Sequence, residues 1–289
     1  MKILITGSKG QMGNEFQVIA RSDHSNVYLF TDIDELDITD TVAVTGLIRK
    51  EKPDIIVNCA GYTAVDNAER DLDKAILING TAVEILAKIA NETDSILLHV
   101  STDYVFDGTA CTPYQEDIPP NPISTYAKSK YEGEQAVFSH ANRGVIIRTS
   151  WLYSSFGQNF VKTILKYGRE RGSLNVIFDQ IGTPTYARDL CKAIVDIIPA
   201  LKDHWGVELF HYSNEGVASW YDFAKAIVEL AEIHCQVLPI ESKDYLQLAP
   251  RPFYSVLNKT RIKNRFGISI PYWRDSLLDC ILKLKEEGS

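Results

Sequence analysis

Short apolar runs alternate with amphipathic stretches through the first half of the chain. Ile3 to Ile5 is a continuous apolar run, the pattern of a strand buried on both faces of a parallel sheet. Residues 14–21 then carry the spacing of an amphipathic helix. The same reading predicts a strand over 27–31 and a helix over 42–50 with Thr39 or Asp40 as its cap. Pro53 leads into a strand over 54–60, followed by a long helix over 73–90 and a strand over 95–100. A helix carrying Tyr126 and a strand over 145–148 complete the series. Such alternation predicts an α/β fold, a doubly wound parallel sheet of Rossmann type with helices on both faces. The second half is less regular. It has an aromatic-rich loop over 149–160, helices over 160–171, 186–198 and 219–232 (the last opened by Ser219), and a short strand over 175–177. Pro250-Arg251-Pro252 interrupts any long element, and no repeat, linker or low-complexity run is present. The expected division is a first domain over 1–150, to which about 175–215 returns, and a smaller mixed α/β lobe over 151–289.

Composition narrows the classes. The chain has 289 residues, 45% of them hydrophobic and 24% charged, as in a soluble globular enzyme. A net charge of −8 argues against nucleic acid or an anionic membrane as the main partner. No apolar stretch approaches the ~20 residues of a membrane span, and no signal peptide precedes the first strand. The five cysteines are scattered without a C-x-x-C, which predicts reduced thiols and a cytoplasmic location. The six histidines lack metal-ligand spacing, so no metal is expected.

The first apolar run leads into glycines at 7, 10 and 13, then a helix: the strand–turn–helix setting a dinucleotide site requires. Gly7 permits the tight turn, Gly10 lets backbone approach a pyrophosphate, and Gly13 lets the helix pack close to the sheet. The helix N-terminus then offers N–H groups to the phosphates. Asp32 closes the second strand, where an acid bonds adenosine ribose hydroxyls and favours NAD, while Ser8, Lys9 and Arg21 lie where they could accept the 2′-phosphate of NADP. Asp37 competes as an acid for the adenine edge or as a helix cap.

Tyr126 and Lys130 are four residues apart, on one face of a helix. A lysine ammonium beside a phenol is expected to lower the tyrosine pKa toward working pH. Ser101-Thr102, at a strand end about 25 residues upstream of Tyr126, adds a hydroxyl. The three make a proton-transfer group: Thr102 bonds the substrate oxygen, Tyr126 moves the proton, and Lys130 tunes the tyrosine and bonds the nicotinamide ribose. Hydride would come from NADPH or NADH.

With these motifs in place the chain resembles the extended short-chain dehydrogenase/reductases, and within them the dTDP-4-dehydrorhamnose reductases, over nearly its whole length. The matching pieces include Val57-Asn58-Cys59-Ala60-Gly61-Tyr62-Thr63-Ala64-Val65-Asp66, Ser101-Thr102-Asp103-Tyr104-Val105-Phe106-Asp107-Gly108, Tyr126-Ala127-Lys128-Ser129-Lys130, Arg148-Thr149-Ser150-Trp151-Leu152-Tyr153 and Gly157-Gln158-Asn159-Phe160. By that resemblance Gly10, Gln11, Met12, Asp32, Asp37, Ile38, Gly61, Tyr62, Thr63, Tyr126 and Lys130 contact the cofactor. Thr102, Asp103, Tyr104 and Trp151 meet the substrate, and Tyr126 donates the proton. The family reduces the C4 ketone of dTDP-4-dehydro-6-deoxy-L-mannose to dTDP-L-rhamnose, as a monomer or homodimer. Some members bridge subunits through magnesium-bound glutamates; Glu15 would match one, but Arg188 stands where a carboxylate would help. Sugar-nucleotide dehydratases usually carry a glutamate directly after Thr-Asp, where this chain has Tyr104. A 4-epimerase and a non-catalytic relative remain as alternatives, and Arg251 is a candidate for a substrate pyrophosphate.

Overall fold

The computed structural model describes residues 1–287. Six strands form one parallel sheet: β1 (Lys2–Thr6), β2 (Val27–Thr31), β3 (Ile55–Asn58), β4 (Ile96–Thr102), β5 (Arg143–Thr149) and β6 (Gly206–His211). Their spatial order is β2-β1-β3-β4-β5-β6, so the chain reverses direction across the sheet between β1 and β3. In open α/β sheets ligands bind outside the carboxyl ends of strands at such a reversal.

The alternation of apolar residues along each strand feeds two cores. Ile5, Val57, Leu98 and Ile147 face α1 (Gln11–Ala20) and a later helix, Ala187–Ile197, through Phe16, Leu190 and Ile194. Leu4, Ile56, Leu97 and Ile146 face the opposite way, against α2 (Thr41–Glu51), α3 (Ala82–Glu92) and α4 (Thr125–His140). Strands buried on both faces give the continuous apolar runs seen in the sequence. Asp40, one of the two expected caps, accepts from the backbone N–H of Val42 and Ala43 at the start of α2.

Two regions depart from the expected elements. The helix expected over 73–90 is three pieces: Leu72–Ile76, a π-helical turn Leu77–Thr81, and α3. Among the described residues, four second-half elements of five or more residues lack a counterpart in the hydrophobic pattern: β6, Gln236–Ile240, Thr260–Phe266 and Trp273–Glu287. Gln236–Ile240 pairs in parallel with Ser173–Ile177, and Pro239 within its five residues masks the strand pattern. A third core, with Tyr153, Val161, Phe223, Ile227, Leu277 and Ile281, holds Gln236–Ile240 and Trp273–Glu287, whereas β6 and Thr260–Phe266 join the first core through Phe210 and Ile262. Ser219 caps its helix Trp220–Leu230 with a reciprocal capping box to Asp222. Among the described residues no helix is long and apolar enough to cross a membrane.

Candidate active site

The turn after β1 and the loop after β3 lean on each other at the reversal point. Gly7 has φ +66°, and a Cβ there would lie 2.7 Å from the Ala60 nitrogen. A Cβ on Gly13 would overlap the Gly7 carbonyl and Ser8 Cα, so α1 starts hard against the turn. The helix begins at Gln11, three residues earlier than its apolar spacing suggests, because Gly10 caps it. Gly10 brings no side-chain cap, and the first turn carries no acid. Such a bare, glycine-walled helix N-terminus fits a dinucleotide pyrophosphate.

Beyond this turn opens a cavity of about 660 Å³. Gly7, Gly10, Gln11, Met12, Gly61, Thr63, Thr102, Asp103, Tyr104, Tyr126, Lys130 and Trp151 all line it, together with Gly157, Gln158 and Asn159 from the second half. Gly13, Asp32, Asp37, Ile38 and Tyr62 do not. Asp32 stands at the end of β2 and accepts from the backbone N–H of Lys9 (2.7 Å) and Ile33 (2.9 Å). The Lys9 ammonium pairs with Asp34 (2.5 Å) and Glu35 (3.3 Å), so three acids surround the one lysine of the turn. Asp37 is exposed and accepts from its own neighbour Thr39, whereas Ile38 is buried.

The π-helical turn has a clear role. It swings Asn79 inward, where its amide binds both backbone groups of Tyr62 (2.8 and 3.0 Å) and the Ser129 hydroxyl (3.0 Å). The loop after β3 is thereby tied to α4, the helix that carries Tyr126 and Lys130. Ser124 caps α4 by accepting from Ala127 N, and Glu69 grips Thr125 through both backbone and hydroxyl. No periodic signal in the sequence marks Asn79 or Glu69.

Thr102 ends β4, accepts from Tyr104 N (3.2 Å), donates to Asp103 Oδ1 (3.1 Å) and lies beside the Tyr126 phenol. The expected lowering of the Tyr126 pKa is not found. Burial pushes the phenol up to about 12, the Thr102 hydroxyl opposes this, and the Asp103 charge adds to it. Lys130 is turned away from the phenol: its Nζ donates to the Val100 carbonyl (2.7 Å) and lies 3.5 Å from His99 Nε2. Burial lowers Lys130 to about 8, against the opposing Glu134 and Cys59. Asp103 is raised to about 7, chiefly by burial, and its Oδ2 has no partner. Beneath the site, Glu134 receives the Arg148 guanidinium through two bonds (2.8 and 2.6 Å) and the Ser101 hydroxyl (2.5 Å).

Trp151 sits at φ +46°, a strained backbone for a large residue, with its indole stacked on Trp220 at 3.6 Å and 7°. Trp220, Phe160, Val65 and Tyr104 also wall a second cavity of about 670 Å³, lined further by Tyr167, Arg171, Gln180, Gln247 and Arg251. Arg251 is engaged by Asp66 (2.8 Å), donates to Gln247 (2.8 Å) and lies close to Tyr104. Glu15 is buried, accepts from Ser154 (2.6 Å), and faces Arg188 and Lys283. Among the described residues no group of three or more His, Cys, Asp or Glu side chains is placed to hold a metal ion.

A doubly wound sheet, a glycine turn at its reversal point and a Thr–Tyr–Lys group in one cavity define a nicotinamide-dependent short-chain dehydrogenase/reductase. The comparisons narrow this. The family model described as the RmlD substrate binding domain matches residues 1–286. A dTDP-4-dehydrorhamnose reductase of Aggregatibacter actinomycetemcomitans is 38% identical over 284 residues, covering 96% of this chain and 97% of that protein. A probable dTDP-4,6-dihydroxy-2-methyloxan-3-one 4-ketoreductase of Streptomyces antibioticus is also 38% identical, over 96% of this chain and 93% of that one. The crystal structure of a Bacillus anthracis dTDP-4-dehydrorhamnose reductase in complex with NADP superposes with a TM-score of 0.92 at 36% identity, covering 98% of this chain and 99% of that one. The chain belongs to the dTDP-4-dehydrorhamnose reductase family.

Proposed function

We propose that the protein reduces the C4 ketone of a dTDP-linked 4-keto-6-deoxy sugar with NADPH or NADH, and that the sugar is dTDP-4-dehydro-6-deoxy-L-mannose, giving dTDP-L-rhamnose for cell-surface polysaccharide. The observation that carries this reading is the single cavity in which the glycine turn, Thr102, Tyr126, Lys130 and Trp151 meet. The dinucleotide, when bound, supplies the hydride. Gly7 and Gly10 shape the turn that cradles its phosphates, Gly13 seats α1 against that turn, and Lys130 meets the nicotinamide ribose. Thr102 and Tyr126 take the ketone oxygen between two hydroxyls. As negative charge grows on that oxygen, Tyr126 donates its proton and Thr102 holds the geometry. Trp151 shields the hydride path from water.

The second cavity is assigned to the nucleotide, with Arg251 and Arg171 as cations for a diphosphate. Residues 1–150, with about 175–215 returning, then serve the dinucleotide, and 151–289 mainly the sugar nucleotide. The reading includes a cytoplasmic location and a monomer or homodimer as the working unit. Tyr104, a phenol where an eliminating enzyme needs a carboxylate, speaks for reduction over dehydration. A second reading, reduction of a different dTDP-4-keto sugar, is favoured by the equal identity to the Streptomyces ketoreductase. Following reduced-nicotinamide absorbance with a panel of dTDP-4-keto sugars separates the two by which substrate turns over fastest. No net cofactor consumption with any of them would instead mark an epimerase or an inactive relative.

A further inference from the structure

A row of polar side chains crosses the otherwise apolar sheet face that lies under α4. Thr6, Asn58 and His99 are register partners on β1, β3 and β4, and all three are fully buried. The Thr6 hydroxyl donates to Asn58 Oδ1 (2.7 Å), Asn58 Nδ2 lies 3.1 Å from His99 Nδ1, and His99 Nε2 lies 3.5 Å from Lys130 Nζ. Buried polar groups persist only where they are satisfied, and this row ends on a residue of the proton-transfer group. Its polarity follows from its first member. With Asn58 Oδ1 taken by the threonine, the Asn58 amide must donate to His99 Nδ1. A neutral imidazole that accepts at Nδ1 carries its proton on Nε2.

We propose that His99 is a positioning residue for Lys130: the row Thr6–Asn58–His99 presents an imidazole N–H to the lysine nitrogen, holds it at the Val100 carbonyl and favours its uncharged form. This rests on the reading of Lys130 as part of the reductase site. To accept a hydrogen bond from the ammonium, His99 would have to shift its proton to Nδ1, and the Asn58 amide and Thr6 hydroxyl would have to reverse with it. The other charged or titratable groups acting on Lys130 are Glu134 on its own helix, itself paired with Arg148 of β5, and Cys59 after β3. Glu134 favours the ammonium, and Arg148 offsets much of that charge. The lowered lysine and a His99 held well below the usual histidine range agree with the same polarity.

The test begins on the wild-type protein labelled with nitrogen-15 at histidine, whose long-range proton–nitrogen spectra report each tautomer. His99 is expected to be neutral with its proton on Nε2, and to stay neutral well below the pH at which an ordinary histidine takes up its proton. A proton on Nδ1, or titration near the ordinary histidine value, overturns the proposal. Asn58→Asp puts an acceptor opposite Nδ1 and so frees Nε2 to accept; the basic limb of kcat/KM should then move up by about one pH unit. His99→Leu should lower kcat roughly tenfold or more and weaken dinucleotide binding, and His99→Gln should restore part of both. Folded Asn58→Asp and His99→Leu enzymes with the wild-type pH profile would also refute it; if neither variant folds, the spectrum of the wild-type protein decides. Because the tautomer is read without substrate, its failure leaves the assigned reaction standing, and a protein inactive on every sugar but with the expected tautomer leaves the row standing.

Discussion

At the scale of single residues, the proposed proton donor is held in its protonated form. A phenol pushed up to about 12 is fully protonated at working pH, the state a reductase needs before hydride arrives. Tyr126→Phe is therefore expected to lower kcat about 10²–10⁴-fold while the dinucleotide Kd changes little, since only a hydroxyl is lost. Steady-state kinetics beside a fluorescence binding titration checks both. Asp103 gives a prediction of opposite character. Its pKa is about 7 in the folded protein and ordinary in the unfolded chain, so the native state binds the extra proton and stability falls as pH rises from about 4 to about 7. Asp103→Asn mimics the neutral form. It should raise Tm at pH 8 and lose that advantage toward pH 4, as calorimetry across pH would record. The residue types of this site were legible because Tyr126, Lys130, Thr102 and Asp103 are close in sequence and joined by one strand and one helix. The direction of the Tyr126 shift was not. Spacing places a lysine one turn away, but the Val100 carbonyl and His99, which claim its nitrogen, come from β4.

At the scale of elements, the glycine turn and the π-helical turn do the positioning. Gly13→Ala should cost about 1–3 kcal/mol, because its methyl meets backbone that cannot yield, and should weaken dinucleotide binding as α1 is displaced. Chemical denaturation and a dinucleotide titration measure the two effects; an unchanged Kd would remove α1 from the phosphate site. Strands buried on both faces were legible as apolar runs, and both Asp40 and Ser219 announced their helices. The π-helical turn was not, because one extra residue in a turn leaves the apolar period nearly intact. Trp273–Glu287 escaped because its apolar residues are interleaved with five charged ones up to Lys285, and its partners in the core are distant in sequence.

At the scale of the whole molecule, two cavities meet at Tyr104, Val65, Phe160 and Trp220, and Arg251 on the wall of the second is paired with Asp66 from the helical turn Val65–Ala68 after β3. If Arg251 meets the substrate diphosphate, Asp66 competes for it. Arg251→Ala should raise the KM for a dTDP-sugar about tenfold, the worth of a charge-assisted hydrogen bond, and Asp66→Asn should lower it or leave it unchanged. A rise of KM in Asp66→Asn equal to that in Arg251→Ala would mean the pair acts only as a structural tie. The first cavity was foreseeable from motifs, whereas the second was not. Tyr167, Arg171, Gln180 and Gln247 come from loops and helices without a shared pattern, brought together only by the third core.

The stacked indoles of Trp151 and Trp220 give the molecule an optical readout of its own. Two of its four tryptophans lie face to face on the wall where reduced nicotinamide is expected to sit. Tryptophan emission overlaps nicotinamide absorption, so docking should quench the pair and light the ring by energy transfer. Trp205, far out in solvent, would stay a constant background. The order in which dinucleotide and sugar enter could then be timed on the unlabelled protein, with Trp220→Phe separating the signal of one indole from the other.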